Sequence, residues 1–405
     1  MQRFMTCVLA TALLLLPVLA VVGGGNAEAE QTKADFARLN SEVDGLKAKL
    51  AAGVTRGDFG AACAQCHGVA PKYPLLGARL GYNTSGHKNN DNSFYANGQG
   101  CQKCHTNEGF IDYVKTGKVD DKAFVRYPSQ PNCVTCHTQH ETWDFSLRTV
   151  KPVKLVDGSV FDLGKGNLCA TCHQSRTAVK DTVKALAAKD VRSPWGAHHG
   201  PQSDLINGSN AWEYPGRSYS SSPHKQVLAD GCVQCHMALP TGRYGLSPAI
   251  GGHSFNIAGE VHEAPAVNLA ACLACHKDMK QVPRAELFDI KANADFDHDG
   301  KIEPVQLEVQ GLLDIFVNPK GTGYLQTINP VMYKKDAEAS FEALGAGWAA
   351  TTAGQWTEAQ MAALYNYKLI VEDRSRGVHN ATYTIQVLYD TLKALDPGFD
   401  DSLRP

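Results

Sequence analysis

The chain has 405 residues, a formal net charge of −2 and an isoelectric point near 6.7. That balance lacks the basic excess of nucleic-acid binders, so nucleic acid is not expected as a partner. Thirteen cysteines is a high count for this length, and their spacing has to be explained before anything else.

Arg3 precedes an apolar run from about Cys7 to Val22 and a small-residue stretch through Ala27 and Ala29. This is the pattern of a secretory signal cleaved after Ala27 or Ala29. Residues 1–27 are read as that signal, Cys7 is discarded with it, and the mature protein is expected in the periplasm or outside the cell. An uncleaved anchor is the rival reading, because the apolar stretch from Phe4 to Val22 is long enough to just span a bilayer. Residues 28–60 follow as an N-terminal segment with an amphipathic helix. Phe36, Leu39, Val43, Leu46 and Leu50 recur there at alternating steps of three and four, which makes one apolar stripe. The stripe either packs on the body of the protein or joins subunits, so an oligomer stays open.

Residues 61–280 hold six copies of Cys-x-x-Cys-His. They are Cys63, Cys66 and His67; Cys101, Cys104 and His105; Cys133, Cys136 and His137; Cys169, Cys172 and His173; Cys232, Cys235 and His236; and Cys272, Cys275 and His276. Two cysteines at this spacing reach the two vinyl groups of one haem, and the adjacent histidine then lies under the iron as proximal ligand. A zinc reading requires the motifs to pair into four-ligand sets, and a disulfide reading gives six histidines no role. The expected cofactors are therefore six haem c groups, with the twelve motif cysteines as covalent attachments. The intervals between motifs are rich in Gly, Pro, Asn and Ser, which reads as loops. The expected fold is mainly α with extensive loops wrapped around a stacked array of c-type haems and little β, the porphyrins supplying much of the apolar burial.

Nine histidines remain: His87, His140, His198, His199, His224, His253, His262, His298 and His379. A second neutral imidazole makes a haem iron six-coordinate and suits it to electron transfer. The favoured distal ligands are His87, His140, one of His198 and His199, His224, His253 and His379. His262 is the leading spare, and His298 belongs to an acidic loop described below.

Residues 281–405 form the last region, where helical periodicity is clear at about 304–317, 335–346, 357–374 and 379–395. Asp396, Pro397 and Gly398 end the last of these. The region is expected to be mainly helical and to supply a distal ligand. Near its start Asp295, Asp297, Asp299, Lys301 and Glu303, with Gly300 at the turn, match the first nine positions of an EF-hand calcium loop, Lys301 through its backbone carbonyl. Gln306 stands where the bidentate glutamate belongs. A calcium site and a metal-free acidic turn before a helix starting at Pro304 both fit.

Pro223 and His224 before Cys232, Cys235, His236 and Met237, then Gly252 and His253, then Cys272 to His276, then Gly377, Val378, His379 and Asn380, occur in a telling order. Over about residues 195–395 this resembles the multihaem superfamily of ammonia-forming cytochrome c nitrite reductases and hydroxylamine oxidoreductases. The resemblance implies distal-ligand roles for His224, His253 and His379. It departs from the nitrite reductases in one respect: their catalytic haem motif ends in lysine, and all six motifs here end in histidine. Shared haem packing is therefore expected more than shared activity.

The function expected is an exported hexahaem relay in anaerobic-type respiration, without a catalytic residue. Its donors would be other cytochromes or a membrane quinol-oxidising complex, its acceptor a redox protein or an external acceptor. The alternative is a multihaem oxidoreductase in which one open haem acts on a small nitrogen or sulfur compound, with Arg176 nearby. A third reading is a filament of stacked subunits.

Overall fold

The protein is described from a computed structural model, over residues 33–44, 75–98, 100–120, 122–142, 145–186, 196–242, 245, 247–280, 288–317, 323–324 and 357–405. The expected signal, the first Cys-x-x-Cys-His motif and the helix expected at 335–346 lie outside these residues. The chain divides into two compact units, Met1–Tyr73 and Pro74–Pro405. Of the first unit, residues 33–44 form a helix (α1) that carries Phe36, Leu39 and Val43 of the apolar stripe. Leu46 and Leu50 fall outside the described residues.

The second unit is mainly helical. Its longer helices are α2 Leu75–Thr84, α3 Asn107–Thr116, α4 Val179–Leu186, α5 Gln202–Asn207, α6 Val305–Val317, α7 Glu358–Asp373 and α8 Ala381–Leu395. Among the described residues the only sheets are two antiparallel hairpins. In one, Val153–Lys154 (β1) pairs with Val160–Phe161 (β2), and in the other Ala258–Val261 (β3) pairs with Ala264–Val267 (β4).

The main core lies in the C-terminal part, where α7 and α8 pack together and receive α6 and α4. Local sequence defines the helix starts. Thr357 caps α7 in a reciprocal capping box with Gln360, and the Asn380 side chain caps α8 by accepting the Tyr383 N–H. Both helices are buried nearly all round, so their polar side chains need partners inside the protein. Tyr365, Tyr383 and Tyr389 are fully buried, and their hydroxyls donate to Thr177 O at 2.9 Å, Glu213 Oε1 at 3.0 Å and Phe296 O at 2.6 Å. Asn366 accepts the Trp212 N–H at 2.7 Å and donates to the Trp212 carbonyl at 3.0 Å. In this way α7 holds a stretch of irregular chain as a neighbouring strand would.

Between residues 75 and 280 the apolar clusters are small. One gathers Val153, Leu155, Phe161 and Ile206, another Ile250, Val261 and Ala266. Five short helical turns carry the described Cys-x-x-Cys-His motifs through this region.

Candidate functional site

Each described motif closes on itself as one helical turn. The N–H of His105, His137, His173 and His276 donates to the carbonyl of the first cysteine of its motif at 2.7–3.3 Å, and Cys232–His236 is a single short helix. One turn places the two sulfurs on the same side and starts the histidine side chain beside them. None of the ten described cysteines is in a disulfide. The third motif is clamped from outside: the buried Arg148 guanidinium donates to Val134 O at 2.7 and 3.0 Å, to His137 O at 3.2 Å and to Glu141 at 2.8 Å.

The five described motif histidines each face one histidine from elsewhere in the chain. Ring centroids are 6.2 Å apart for His105 and His198, 6.1 Å for His137 and His253, 6.0 Å for His173 and His87, 6.3 Å for His236 and His379, and 6.3 Å for His276 and His224. A metal–imidazole bond of about 2.0–2.1 Å on each side of one ion holds two ring centroids about 6.3 Å apart. Direct ring packing or a shared hydrogen bond gives no reason for one spacing to recur five times.

The outer nitrogens of these rings are fixed. Nδ1 of His105, His137, His173, His224, His236 and His379 lies 2.6–3.1 Å from Asn92 Oδ1, Phe145 O, Gln202 Oε1, Val378 O, Phe255 O and Asp373 Oδ1. An oxygen acceptor at Nδ1 places the proton there and leaves the Nε2 lone pair for the opposite side. Burial lowers the pKa of His105, His173, His224, His236 and His253, and brings His87 and His198 down to about 4, where His173 and Arg176 respectively add to the effect. These rings are neutral near pH 7, the form that ligates a metal. His379 is the exception. Burial acts against its charge, but the Asp373 carboxylate outweighs burial and raises its pKa.

Local backbone explains how the second set of rings arrives. His198 takes a left-handed φ of 74°, turning its ring to His105, whereas His199 next to it turns to the Glu372 carboxylate at 2.7 Å. Ser85 caps the short turn that carries His87. His253 sits on a 3₁₀ turn after Gly251, whose φ is +68° and whose Cβ position would lie 2.2 Å from Ala238 O. On α2, a Cβ at Gly81 would meet Ser254 N at 3.0 Å, so glycine lets the helix lie close against this turn.

The pairs adjoin one another in an order that differs from the sequence. Cys172 Sγ of the fourth motif lies 3.8 Å from the Lys103 carbonyl of the second, and Cys232 Sγ of the fifth lies 4.0 Å from the Gly166 carbonyl on the turn that carries the fourth. Val378, next to His379 of the fifth pair, holds His224 of the sixth through its carbonyl at 2.9 Å. Phe255 makes edge contacts with His87 at 5.0 Å and His253 at 6.0 Å, while its carbonyl accepts from His236. The second, fourth, fifth and sixth motifs thus form a run, and the third adjoins the fourth.

Of the remaining expected residues, Cys63, Cys66, His67 and the side chain of His140 lie outside the described positions. His262 has a φ of 54° in the turn of the second hairpin, and His298 Nε2 lies 3.1 Å from Asp400 O. In the acidic loop, Asp295 accepts the N–H groups of Asp299 and Gly300, and Asp299 pairs with Lys301 Nζ at 2.8 Å. Carboxylate oxygens of Asp295, Asp297 and Glu308 lie within 4.8 Å of one another, as do those of Asp297, Asp299 and Glu303. Gln306 is turned away, accepting the Phe288 N–H at 2.8 Å. Glu308 was not anticipated: it is fully buried and accepts the N–H groups of Phe296, Asp297 and Glu303. Burial pushes the Asp297 pKa up to about 6, and the Glu308 and Asp299 carboxylates add to it.

Asp373 and Glu372 were also missed, although the sequence holds a signal for them. Two carboxylates in the last turn of a helix oppose its dipole, and here each meets a histidine instead of solvent.

No family model matches the chain. It is 22% identical over 342 residues to the C-type polyheme cytochrome OmcC of Geobacter sulfurreducens, a match to 74% of this chain and 43% of that protein. It is also similar to the crystal structure of the outer cell wall cytochrome OcwA, with 20% identity, a TM-score of 0.40, and coverage of 78% of this chain and 49% of that one. The chain spans less than half the length of both. Among the described residues no helix is long and apolar enough to cross a membrane.

Proposed function

We propose that this chain is an exported c-type cytochrome that carries six haems and relays electrons between redox partners. The observation that carries the reading is the set of five histidine pairs at 6.0–6.3 Å, each containing the histidine of a Cys-x-x-Cys-His motif. The similarity to a polyheme cytochrome supports the same class. The motif cysteines would hold each haem through two thioethers, His105, His137, His173, His236 and His276 would be proximal ligands, and His198, His253, His87, His379 and His224 their distal partners. Cys63, Cys66 and His67 complete the six by motif alone. Haem iron with two imidazoles supplies one-electron transfer with little rearrangement.

The protein's own residues set that chemistry. Asn92, Gln202, Asp373 and the carbonyls of Phe145, Phe255 and Val378 hold six imidazoles in one tautomer and orientation. With both faces of five sites filled by histidine, the chain is suited to passing electrons rather than binding a small substrate there. The participation of His224, His253 and His379 supports the resemblance to the nitrite reductase and hydroxylamine oxidoreductase superfamily at the level of haem packing. Donors in this reading are other cytochromes or a quinol-oxidising complex, and acceptors are redox proteins or an external acceptor. The acidic loop is proposed to hold one structural calcium ion, a reading supported by the crowding of Asp297 against Glu308 and Asp299.

The test is haem quantitation on the purified protein, low-temperature EPR of the ferric form and carbon monoxide addition to the reduced form. Six haems per chain, at least five of them low-spin and closed to carbon monoxide, are expected. Zinc in place of haem, or several high-spin carbon monoxide-binding haems, would overturn the reading.

A further inference from the structure

The surroundings of the five pairs differ at one point. Where an Nδ1 acceptor is seen it is neutral for His105, His137, His173, His224 and His236, being a backbone carbonyl or a side-chain amide. His379 alone among the paired histidines meets a carboxylate, Asp373 Oδ1, at 2.6 Å. Asp373 is only 3% exposed, so water does little to screen its charge. Its other oxygen is held by the Ser375 hydroxyl and by the Ser375 N–H at 3.3 Å. The Ser375 hydroxyl in turn accepts the His379 N–H at 3.2 Å. Asp373, Ser375 and His379 are thus a closed unit at the junction of α7 and α8.

Resting on the haem reading above, we propose that Asp373 makes the His236 and His379 site the lowest in reduction potential of the five described sites. A carboxylate that accepts the Nδ1 proton raises the electron density of the opposite nitrogen. It also places a buried negative charge near a centre whose oxidised form carries one more positive charge. Both effects favour the oxidised form. Reduction here is the gain of one electron, with no bond made or broken and the proton staying between Nδ1 and Oδ1.

The position of this site gives the effect a consequence. Cys232 of its motif lies 4.0 Å from the Gly166 carbonyl on the turn of the fourth motif, and Val378, next to His379, holds His224 of the sixth site at 2.9 Å. An electron moving from the fourth site to the sixth therefore crosses the lowest-potential centre as an uphill step. Asp373 is a positioning and tuning residue that sets how fast charge passes between the two ends of the run.

The experiment is an equilibrium redox titration of the full haem-loaded protein, followed by optical spectroscopy and EPR, on the parent, Asp373→Asn and Ser375→Ala. Asparagine keeps an acceptor for Nδ1 but removes the charge. The lowest-potential component is expected to shift so that, at a fixed applied potential, its reduced-to-oxidised ratio rises at least tenfold, about 59 mV for one electron. All parent low-spin signals should persist. Ser375→Ala removes a donor from Oδ2, concentrates charge on Oδ1 and is expected to move the same component the opposite way. The inference is overturned if Asp373→Asn changes the ratio less than twofold, or if it only converts the haem to a high-spin form that binds carbon monoxide. Should Asp373→Asn fail to fold, a Ser375→Ala shift toward higher potential, or none, overturns it equally. A parent protein in which this haem is already high-spin refutes the pairing of His236 and His379 on one iron, and a parent without haem refutes the haem reading itself; both are separate outcomes.

Discussion

Asn380 joins the site to the core, and its removal has a calculable cost. Its Oδ1 accepts the Ser222 N–H at 2.8 Å and the Tyr383 N–H at 3.3 Å, while its Nδ2 donates to Leu205 O at 3.0 Å and Ser221 Oγ at 3.1 Å. The residue is 1% exposed and Leu205 is equally buried. Asn380→Ala leaves the buried Ser222 N–H without its partner, at about 1–3 kcal/mol, and removes the cap of α8 at about 1 kcal/mol, while the Leu205 carbonyl still accepts the Gly208 N–H at 3.0 Å. The expected loss is on the order of 3 kcal/mol. Asn380→Asp keeps both acceptor bonds and loses the two donated ones, so about half that loss is expected. Urea unfolding followed by far-ultraviolet circular dichroism measures both. The effect should also reach the haem sites, because His379 immediately precedes Asn380 and His224 Nδ1 is held by Val378 O at 2.9 Å. In Asn380→Ala the Soret signature of two low-spin haems should weaken before the helices melt. A loss below about 1 kcal/mol, or equal losses for both variants, would refute the reasoning, since the first denies the buried bonds and the second denies their division between donor and acceptor.

Three further outcomes follow from the same geometry. On the proposed haem reading, His253→Ala should open one iron, giving one high-spin carbon monoxide-binding haem by EPR and optical spectroscopy, whereas His262→Ala should leave both spectra unchanged. Asp204 is buried, and burial pushes its pKa up to about 6 from 3.8; the unfolded chain releases this proton first, so the stability it contributes is present below about pH 4 and is lost as pH rises through 6, by about 3 kcal/mol. Denaturant unfolding across that range should show the slope in the parent protein and lose it in Asp204→Asn. Calcium at a hundred times its dissociation constant should stabilise the protein by about 2.7 kcal/mol, read as a rise in thermal midpoint that is reversed by chelator and lost in Asp297→Asn.

The Cys-x-x-Cys-His half of the proposed site was legible in the sequence because the proposed thioether attachment would demand a fixed spacing, and no fold is needed to see that spacing. The helices at 305–317, 358–373 and 381–395 were legible too, since their apolar residues recur at helical steps and Thr357 and Asn380 mark their starts. Which histidine faces which motif was not legible. The partners His87 and His173, or His236 and His379, are joined by no periodicity, only by the path of the chain between them. The choice of His198 over His199 turns on one left-handed residue beside a buried carboxylate, Glu372. Glu308 was hidden for a related reason: the calcium-loop pattern points to Gln306, and only the start of α6 brings the glutamate two positions later under the loop.

The order of the pairs bears on what each ligand can do. Phe255 touches the rings of His87 and His253 and accepts from His236 through its carbonyl, while Cys172 Sγ of the fourth motif lies 3.8 Å from the Lys103 carbonyl of the second. The fourth site therefore adjoins the second, third and fifth, and on the proposed reading it is a branch point. The third site adjoins the fourth and, through Phe255, the fifth, and lies beside the run from the second to the sixth. Loss of His87 should then slow electron passage along the run and to its branch together, whereas loss of His253 should slow only exchange with the third site. Flash-reduction kinetics at the sixth site distinguishes the two: it should slow in His87→Ala and hold in His253→Ala. Equal slowing in both variants would mean that electrons pass along the motifs in their sequence order, through the third site, and that the contacts around Phe255 do not set the route.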